Sequence, residues 1–339
     1  MITSPFFTVG LPTFNRAASY LPHTLGMLLR QRFDDFEILV SDNAAEDETA
    51  TVVAGFKDPR IRYVRRPIRL SPGEHFATIA NEARGRFFVL NQDDDLLHLD
   101  FLARAHRSLE ETPQAVMYAC PIWREQPQRG YSSIALRPHE GYCDENVVSD
   151  LPYLIEGPYA AAKFFDLKLH FVHPAIAISR KVLGDVGGYD TGSGYSVDLI
   201  TQARVLLRGP LVYDPRPGGI FRVHVGNYSR TMDKAFRKQF FRETYNRLIL
   251  AFGEVECNWK VELDRYLATL GFDELLEIVH EWLYYRTCSP LQDLGMLALA
   301  RAWPGSSLAL WRKLGSKLGW RNLARYGTGK IVHSGSAGA

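Results

Sequence analysis

Residues 87–102 read FFVLNQDDDLLHLDFL. Four apolar residues in a row, Phe87 to Leu90, have the length and bulk of a strand buried on both faces. Two residues behind them stand three adjacent carboxylates, Asp93, Asp94 and Asp95, which repel one another and do not suit a strand. Something must compensate them. One reading is a solvated acidic turn leading into the helix expected for HLDFLARAHRSLEE, because acidic side chains favour a helix N-terminus. The other is a divalent cation, since Mg²⁺ or Mn²⁺ takes oxygen ligands, typically one or two carboxylates completed by substrate phosphate and water. The apolar FFVL approach holds the backbone rigidly and leaves the carboxylates at a crevice, which favours the second reading.

Upstream, the sequence alternates between two periodicities. FFTVGLP, FEILVSD and RIRYVRR read as short strands. Between them, AASYLPHTLGMLLRQ, EDETATVVAGF and SPGEHFATIANEA read as helices, the second with an acidic first turn and the third with Ser-Pro-Gly opening chemistry. Strands that alternate with helices imply parallel pairing and a doubly wound sheet, in which ligands bind beyond the carboxyl ends of the strands. Polar residues gather at those ends: Pro12, Thr13, Asn15 and Arg16 after the first strand, Ser41, Asp42 and Asn43 after the second, and the three aspartates after the fourth. Asp42 alone suits either a hydrogen-bond acceptor for a base or ribose, or an Asx turn opening the next helix. Past residue 120 the pattern loosens. AVMYACPIW, PLVYDP and GGIFRVHVG read as strands, and YLIEGPYAAAKFFDL as helical after Pro158. VDLITQARVLLRG reads as an amphipathic helix closed by Gly209, and the chain reads helical from about residue 231 almost to its end.

The chain has 339 residues, 46% of them hydrophobic, enough for a substantial core. A net charge of +2 is too small to predict a nucleic-acid partner. Cys120, Cys143, Cys257 and Cys288 form no CxxC or Cys/His cluster, so a reduced, cytoplasmic protein is expected rather than a disulfide scaffold or zinc domain. The N-terminus has no signal-peptide pattern, and no apolar run of about 18 residues predicts a membrane span. There is no G-x-G-x-x-G and no G-x-x-x-x-G-K-[ST]. A bound nucleotide would therefore need metal and basic side chains to neutralise its phosphates. From Trp311 to Lys330, WRKLGSKLGWRNLARYGTGK carries six basic residues and no acid. That composition suits either peripheral contact with the inner face of a membrane or a packed helix with a solvated basic face.

TVGLPTFNRAASYL, EILVSDNAAEDET, SPGEHFATIANEARGRFFVLNQDDDLLHLDFL and GGYDTGSGYSVDL, in this order, resemble the family 2 glycosyltransferases with the GT-A fold. The resemblance implies an α/β protein built on a Rossmann-like mixed sheet flanked by helices, with a helical C-terminal segment. It divides the chain into a nucleotide-sugar-binding half (1–120), an acceptor-binding and catalytic half (121–230) and a C-terminal helical region (231–339). It implies that Pro12, Thr13, Asn15, Arg16 and Asp42 hold the nucleoside, and that a D-x-D-type motif at Asp93, Asp94 and Asp95 binds a divalent cation and the donor diphosphate. The family's usual L-D-x-D-D is here LNQDDD. Alignment on LDFL makes Asp94 the metal ligand with Asp93 nearer the ribose, whereas D-x-D spacing selects Asp93 and Asp95. All three stay in the site.

The resemblance further implies inverting transfer with a carboxylate base at the start of a helix. GGYDTGSGYSVDL offers Asp198 for that role, with Asp190 second; Val197-Asp198 stands where family members often carry Glu-Asp. Arg222 and His224 match an R-x-H signature that contacts diphosphate and metal, although the same alternation fits a half-buried strand. His173 could line the acceptor pocket or be an ordinary loop histidine. The implied donor is a nucleotide-diphosphate sugar, UDP-linked in the first place, and the acceptor a hydroxyl on a glycan, a lipid-linked molecule or a small metabolite. Two alternatives stand beside this one: a non-catalytic nucleotide-sugar-binding module of the same fold, and a nucleotidyltransferase, for which GLPTFNRAAS is a poor phosphate loop.

Overall fold

The structure is a computed structural model that describes residues 4–46, 48–127, 134–138, 151–165, 171, 173–224 and 234–268. Its first part is a strand–helix alternation: β1 (Phe7–Thr13), α1 (Leu21–Leu28), β2 (Phe36–Asp42), α2 (Thr49–Ala54), β3 (Ile61–Arg65), α3 (Pro72–Glu82) and β4 (Phe87–Leu90). The four strands lie in the order β3-β2-β1-β4, all parallel. Every residue of β1, β2 and β4 is buried, which is why these strands read as continuous runs and not as alternating ones. Gly10 in β1 is required by packing: a Cβ there would lie 2.6 Å from Ile79 of α3 and 2.7 Å from the Phe88 ring. α3 opens as its sequence predicts, with Pro72 in the first turn and a reciprocal capping box between Ser71 and Glu74.

Beyond β4 the chain adds β5 (Leu96–Leu97), α4 (Phe101–Glu111), β6 (Met117–Ala119), β7 (Ile122–Pro127), β8 (Ile134–Pro138), β9 (Tyr153–Ile155), α5 (Gly157–Ala162), β10 (Ile176–Ser179), α6 (Arg180–Asp185), α7 (Val197–Leu206), β11 (Leu211–Tyr213), β12 (Gly219–Arg222), α8 (Lys234–Gly253) and α9 (Trp259–Leu267). The large sheet continues from β4 through β10, β6, β11 and β9. β10 runs antiparallel to both β4 and β6, so the whole sheet is mixed and only its first half is purely parallel. A second, four-stranded sheet has the order β5-β12-β7-β8. A core of Phe7, Leu11, Leu21, Leu25, Phe101 and Tyr118, among others, ties the large sheet to its helices.

Three local expectations change. AVMYACPIW is two strands, because Pro121 interrupts it; β6 stays in the large sheet and β7 enters the small one. Between Ala119 and Ile122 the chain thus passes from one sheet to the other, and β9, β10 and β11 later return to the large one. The acidic residues near α2 precede it, and none lies in its first turn. α7 is buried on nearly all sides, its polar Thr201 and Gln202 included, so it is an interior helix and not an amphipathic one. Leu207 is its C-cap, while Gly209 donates its N–H to the Leu206 carbonyl in the closing turn.

Met1–Leu263 forms one compact unit and Asp264–Ala339 a second. The basic stretch 311–330 lies outside the described residues, as do Cys143 and Cys288; Cys120 and Cys257 are free thiols. Among the described residues no helix is long and apolar enough to cross a membrane.

Candidate active site

The carboxyl ends of the parallel strands form one rim. Thr13 and Asp42 are register partners at the ends of β1 and β2, and the Asn43 N–H donates to the Thr13 carbonyl at 2.9 Å. Pro12 is buried within β1. Asn15 takes a left-handed conformation (φ 53°), and its Oδ1 accepts from the Glu46 N–H at 2.9 Å, tying the first loop to the second. Asp42 is 1% exposed. Its Oδ1 accepts from the Ala45 N–H at 2.7 Å and its Oδ2 from the Tyr63 hydroxyl at 2.5 Å. Asp42 therefore shapes the loop after β2 from below, but it does not open α2, whose N-cap is Glu48.

The three aspartates lie at the end of β4 and do not precede a helix. β5 intervenes before α4, whose N-cap is Asp100, so the helix dipole does not compensate them. Asp93 is 8% and Asp95 1% exposed. Burial, with the charge of Asp94 second, pushes Asp93 up to about 7, against the Thr13 hydroxyl, Arg16 and the Phe14 N–H. The same two causes hold Asp95 well above the carboxylate range, although its Oδ1 accepts from the Arg222 N–H at 3.0 Å. The Thr24 hydroxyl meets the Asp93 and Asp95 carbonyls at 2.7 and 3.2 Å, which stiffens the loop.

The small sheet supplies the opposite wall. β5 follows the aspartates directly and pairs with β12, which brings Arg222 and His224 across more than a hundred residues of chain. The Arg222 Nε donates to the Asp94 carbonyl and its Nη2 to Thr24 Oγ1 at 2.9 Å. His224 Nε2 and Asp94 Oδ2 are 2.8 Å apart. Tyr20, at the N-cap of α1, lies against this group. Its ring stacks on His224 (centroids 4.7 Å apart, 26° between planes), with the Arg222 guanidinium 4.8 Å and the Arg16 guanidinium 5.6 Å from its centroid. Neither Tyr20 nor Thr24 stands out in the sequence. Their one signal is position, in the turn and first helical residues after a strand that ends at the rim.

Asp190 and Asp198 flank a short 3₁₀ segment, Thr191–Ser196, in which Gly194 has φ 55°. Their surroundings differ. Asp190 accepts from the Gly192 N–H at 3.1 Å and pairs with Arg247 of α8 at 2.9 Å, while Arg247 also donates to the Gly192 carbonyl at 2.7 Å. Asp190 is thus a brace for the turn. Among the described residues the Asp198 carboxylate, in the first turn of α7, accepts one hydrogen bond, from the adjacent Leu199 N–H at 2.8 Å. It lies near Tyr189, whose hydroxyl is pushed up by burial and secondarily by the Asp198 charge. His173 is buried before β10, 3% exposed. Among the described residues no three His, Cys, Asp or Glu side chains converge as a ready-made cation site.

A mixed sheet of this order, with acidic residues at the end of its fourth strand, is the GT-A glycosyltransferase architecture. The chain belongs to glycosyl transferase family 2, whose model matches residues 8–187, more than half its length. The Validoxylamine A glucosyltransferase of Streptomyces hygroscopicus subsp. jinggangensis (strain 5008) is 48% identical over 63 residues, 18% of this chain and 15% of that protein. A GalNAc(5)-diNAcBac-PP-undecaprenol beta-1,3-glucosyltransferase of Campylobacter jejuni subsp. jejuni serotype O:2 is 31% identical over 124 residues, 36% of this chain and 40% of that protein. The matched stretches span well under half the length of these curated relatives. Among solved structures, S. aureus TarS 1-349 in complex with UDP superposes with a TM-score of 0.59 at 12% identity, covering 98% of this chain and 94% of that one. The mannosyltransferase PcManGT from Pyrobaculum calidifontis, in complex with GDP-Man and Mn2+, gives 0.51 at 18% identity, covering 90% and 89%. At such identities the likeness shows a shared fold.

Proposed function

We propose that the protein is an inverting glycosyltransferase that moves a sugar from a nucleotide-diphosphate donor, UDP-linked in the first place, to an acceptor hydroxyl on a glycan, a lipid-linked molecule or a small metabolite. The observation that carries this is the under-compensated Asp93–Asp95 cluster at the end of a parallel strand, facing Arg222 and His224. Arrangements of this kind suit a diphosphate with its counter-ion. The names of the similar proteins support the class: the curated relatives are glucosyltransferases, and the solved neighbours hold UDP or GDP-Man with Mn2+.

The residues fit a divalent cation of the Mn²⁺ or Mg²⁺ kind. The 2.8 Å between Asp94 Oδ2 and His224 Nε2 is close to the roughly 3 Å between neighbouring donors when metal–ligand bonds are about 2.1 Å. Two protein donors leave the remaining positions to phosphate oxygens and water. In this reading Asp94 and His224 hold the cation, Asp93 lies on the ribose side with Thr13 and Arg16, and Asp95 anchors β12 through the Arg222 N–H. A cation there would supply Lewis-acid stabilisation of the leaving diphosphate. Pro12, Thr13, Asn15, Arg16 and Asp42 shape the nucleoside pocket. Arg16 and Arg222 offset the charge that builds on the diphosphate.

Asp198 is the base. It takes the proton of the acceptor hydroxyl while that oxygen bonds to the anomeric carbon, and the bond from that carbon to the diphosphate breaks on the opposite face. Asp198 suits this better than Asp190, which is already paired with Arg247. The test follows UDP release from UDP-sugars with Mn²⁺, with and without candidate acceptors. Asp198→Asn is expected to abolish transfer and leave UDP and Mn²⁺ affinity nearly unchanged. Full turnover in that variant would overturn the base assignment. Tight donor binding with no release or transfer by the wild type would make the protein a binding module instead.

A further inference from the structure

We infer that Tyr20 is a positioning residue: its ring fixes Arg16, Arg222 and His224 in the arrangement that receives a nucleoside diphosphate and its cation. The inference rests on the donor-site reading above and goes beyond it, because Tyr20 is in neither the acidic motif nor the R-x-H segment.

Three contacts converge on one ring. His224 stacks on it with centroids 4.7 Å apart, and the guanidinium groups of Arg222 and Arg16 lie 4.8 and 5.6 Å from its centre. These groups come from distant parts of the chain: Arg16 from the loop after β1, Arg222 and His224 from β12 and the residues just past it. Cations at such distances are attracted by the negative face of the ring. Tyr20 restricts the rotamers of two long arginine side chains, so less ordering is left for the moment of binding. It also sits beside a fixed frame. Thr24, one turn further along α1, bonds both the Asp93 and Asp95 carbonyls and accepts from Arg222. The N-terminal turn of α1 thus presents the ring to the cationic groups and a hydroxyl to the acidic loop.

The argument uses the ring face and not the hydroxyl, which separates the variants. Tyr20→Phe keeps the face, whereas Tyr20→Leu keeps apolar bulk and removes it. Titration calorimetry of UDP in the presence of Mn²⁺ is expected to give near wild-type affinity for Tyr20→Phe. For Tyr20→Leu the expected weakening is about tenfold, the scale of one or two partly exposed cation–π contacts. In steady state the loss should appear in KM for the donor, with kcat changed far less. A double-mutant cycle with Arg222→Gln provides a second readout, because Tyr20→Leu should then cost much less than it does alone. Unchanged UDP affinity in Tyr20→Leu, equal loss in Tyr20→Phe, or additive losses in the cycle would each overturn the inference and leave the donor-site reading intact. Failure of the wild type to bind UDP with Mn²⁺ would overturn both.

Discussion

Two sets of buried carboxylates lie at strand ends of the large sheet, and they are compensated differently. Asp214, just past β11, is fully buried. Its Oδ2 accepts from Arg104 at 3.0 Å, Arg216 at 2.8 Å and the Tyr118 hydroxyl at 2.6 Å, and its Oδ1 accepts twice more from Arg216. Burial pushes this carboxyl up, but the Arg216 and Tyr118 hydrogen bonds and the Arg104 charge outweigh it and hold Asp214 below the usual range. At Asp93 and Asp95 the balance goes the other way, and burial and the Asp94 charge win. A carboxylate whose partners are all supplied by the protein has a structural task. One left short of positive charge at a rim retains attraction to spend on a ligand, at a cost in stability.

The largest expected effect tests the under-compensated set. Asp94→Asn should lower metal-dependent turnover by about a thousandfold or more, on the scale of losing a main electrostatic contact to a leaving group. It should not lower the melting temperature of the ligand-free protein, because the charge that disfavours ionisation of both Asp93 and Asp95 has gone. A marked loss of stability together with retained turnover would place Asp94 with Asp214 as a structural group.

The next effect is the converse. Asp214→Asn leaves the largely buried Arg104 without its anion, while the half-exposed Arg216 can turn to water, which costs about 3 kcal/mol of folding stability. Denaturant unfolding measures this directly. Turnover per folded molecule should change little, and a selective loss of activity at unchanged stability would break the contrast.

Much of this was legible in the sequence, and what was not has a physical reason. The βαβα alternation, the buried strands and the polar strand ends follow from short apolar runs and helical spacing, both local signals. The three aspartates stood out because adjacent carboxylates behind a buried strand need an explanation. The opposite wall was much less legible. β5 has two residues and β12 four, too few for any period, and their pairing joins residues more than a hundred positions apart. Tyr20 looks like any helix-start aromatic until β12 is folded against it. The reading of α7 as amphipathic failed because Thr201 and Gln202 are polar yet buried: Thr201 Oγ1 accepts from the Asp190 N–H and Gln202 Nε2 donates to the Phe171 carbonyl, and such partners outside the helix leave no periodic trace.

The smallest effect concerns a third way of meeting burial, in which the group gives up its charge. His75 on α3 is 3% exposed and lies 2.7 Å from the Ser41 hydroxyl, which also accepts from Arg66 at 2.8 Å. Burial, and then the Arg66 charge, lower His75 from 6.5 to about 4. Between those values the unfolded chain binds a proton that the folded chain refuses. This contribution to stability is therefore complete above about pH 6.5 and falls as the pH drops towards 4. At its full extent it amounts to about 3 kcal/mol. His75→Gln should remove a rise of unfolding free energy with pH between 4 and 6.5, leaving the opposite dependence that the raised Asp93 and Asp95 impose in that window. Glu37, Glu82 and Asp214, all held below their ordinary values, should continue to drive acid unfolding at lower pH. An unchanged slope in the variant would mean that His75 carries its proton in the fold. The neutral Ser41–His75 contact beneath Asp42 would then have to be redrawn as a charged one, and the loop that Asp42 shapes would rest on a cation.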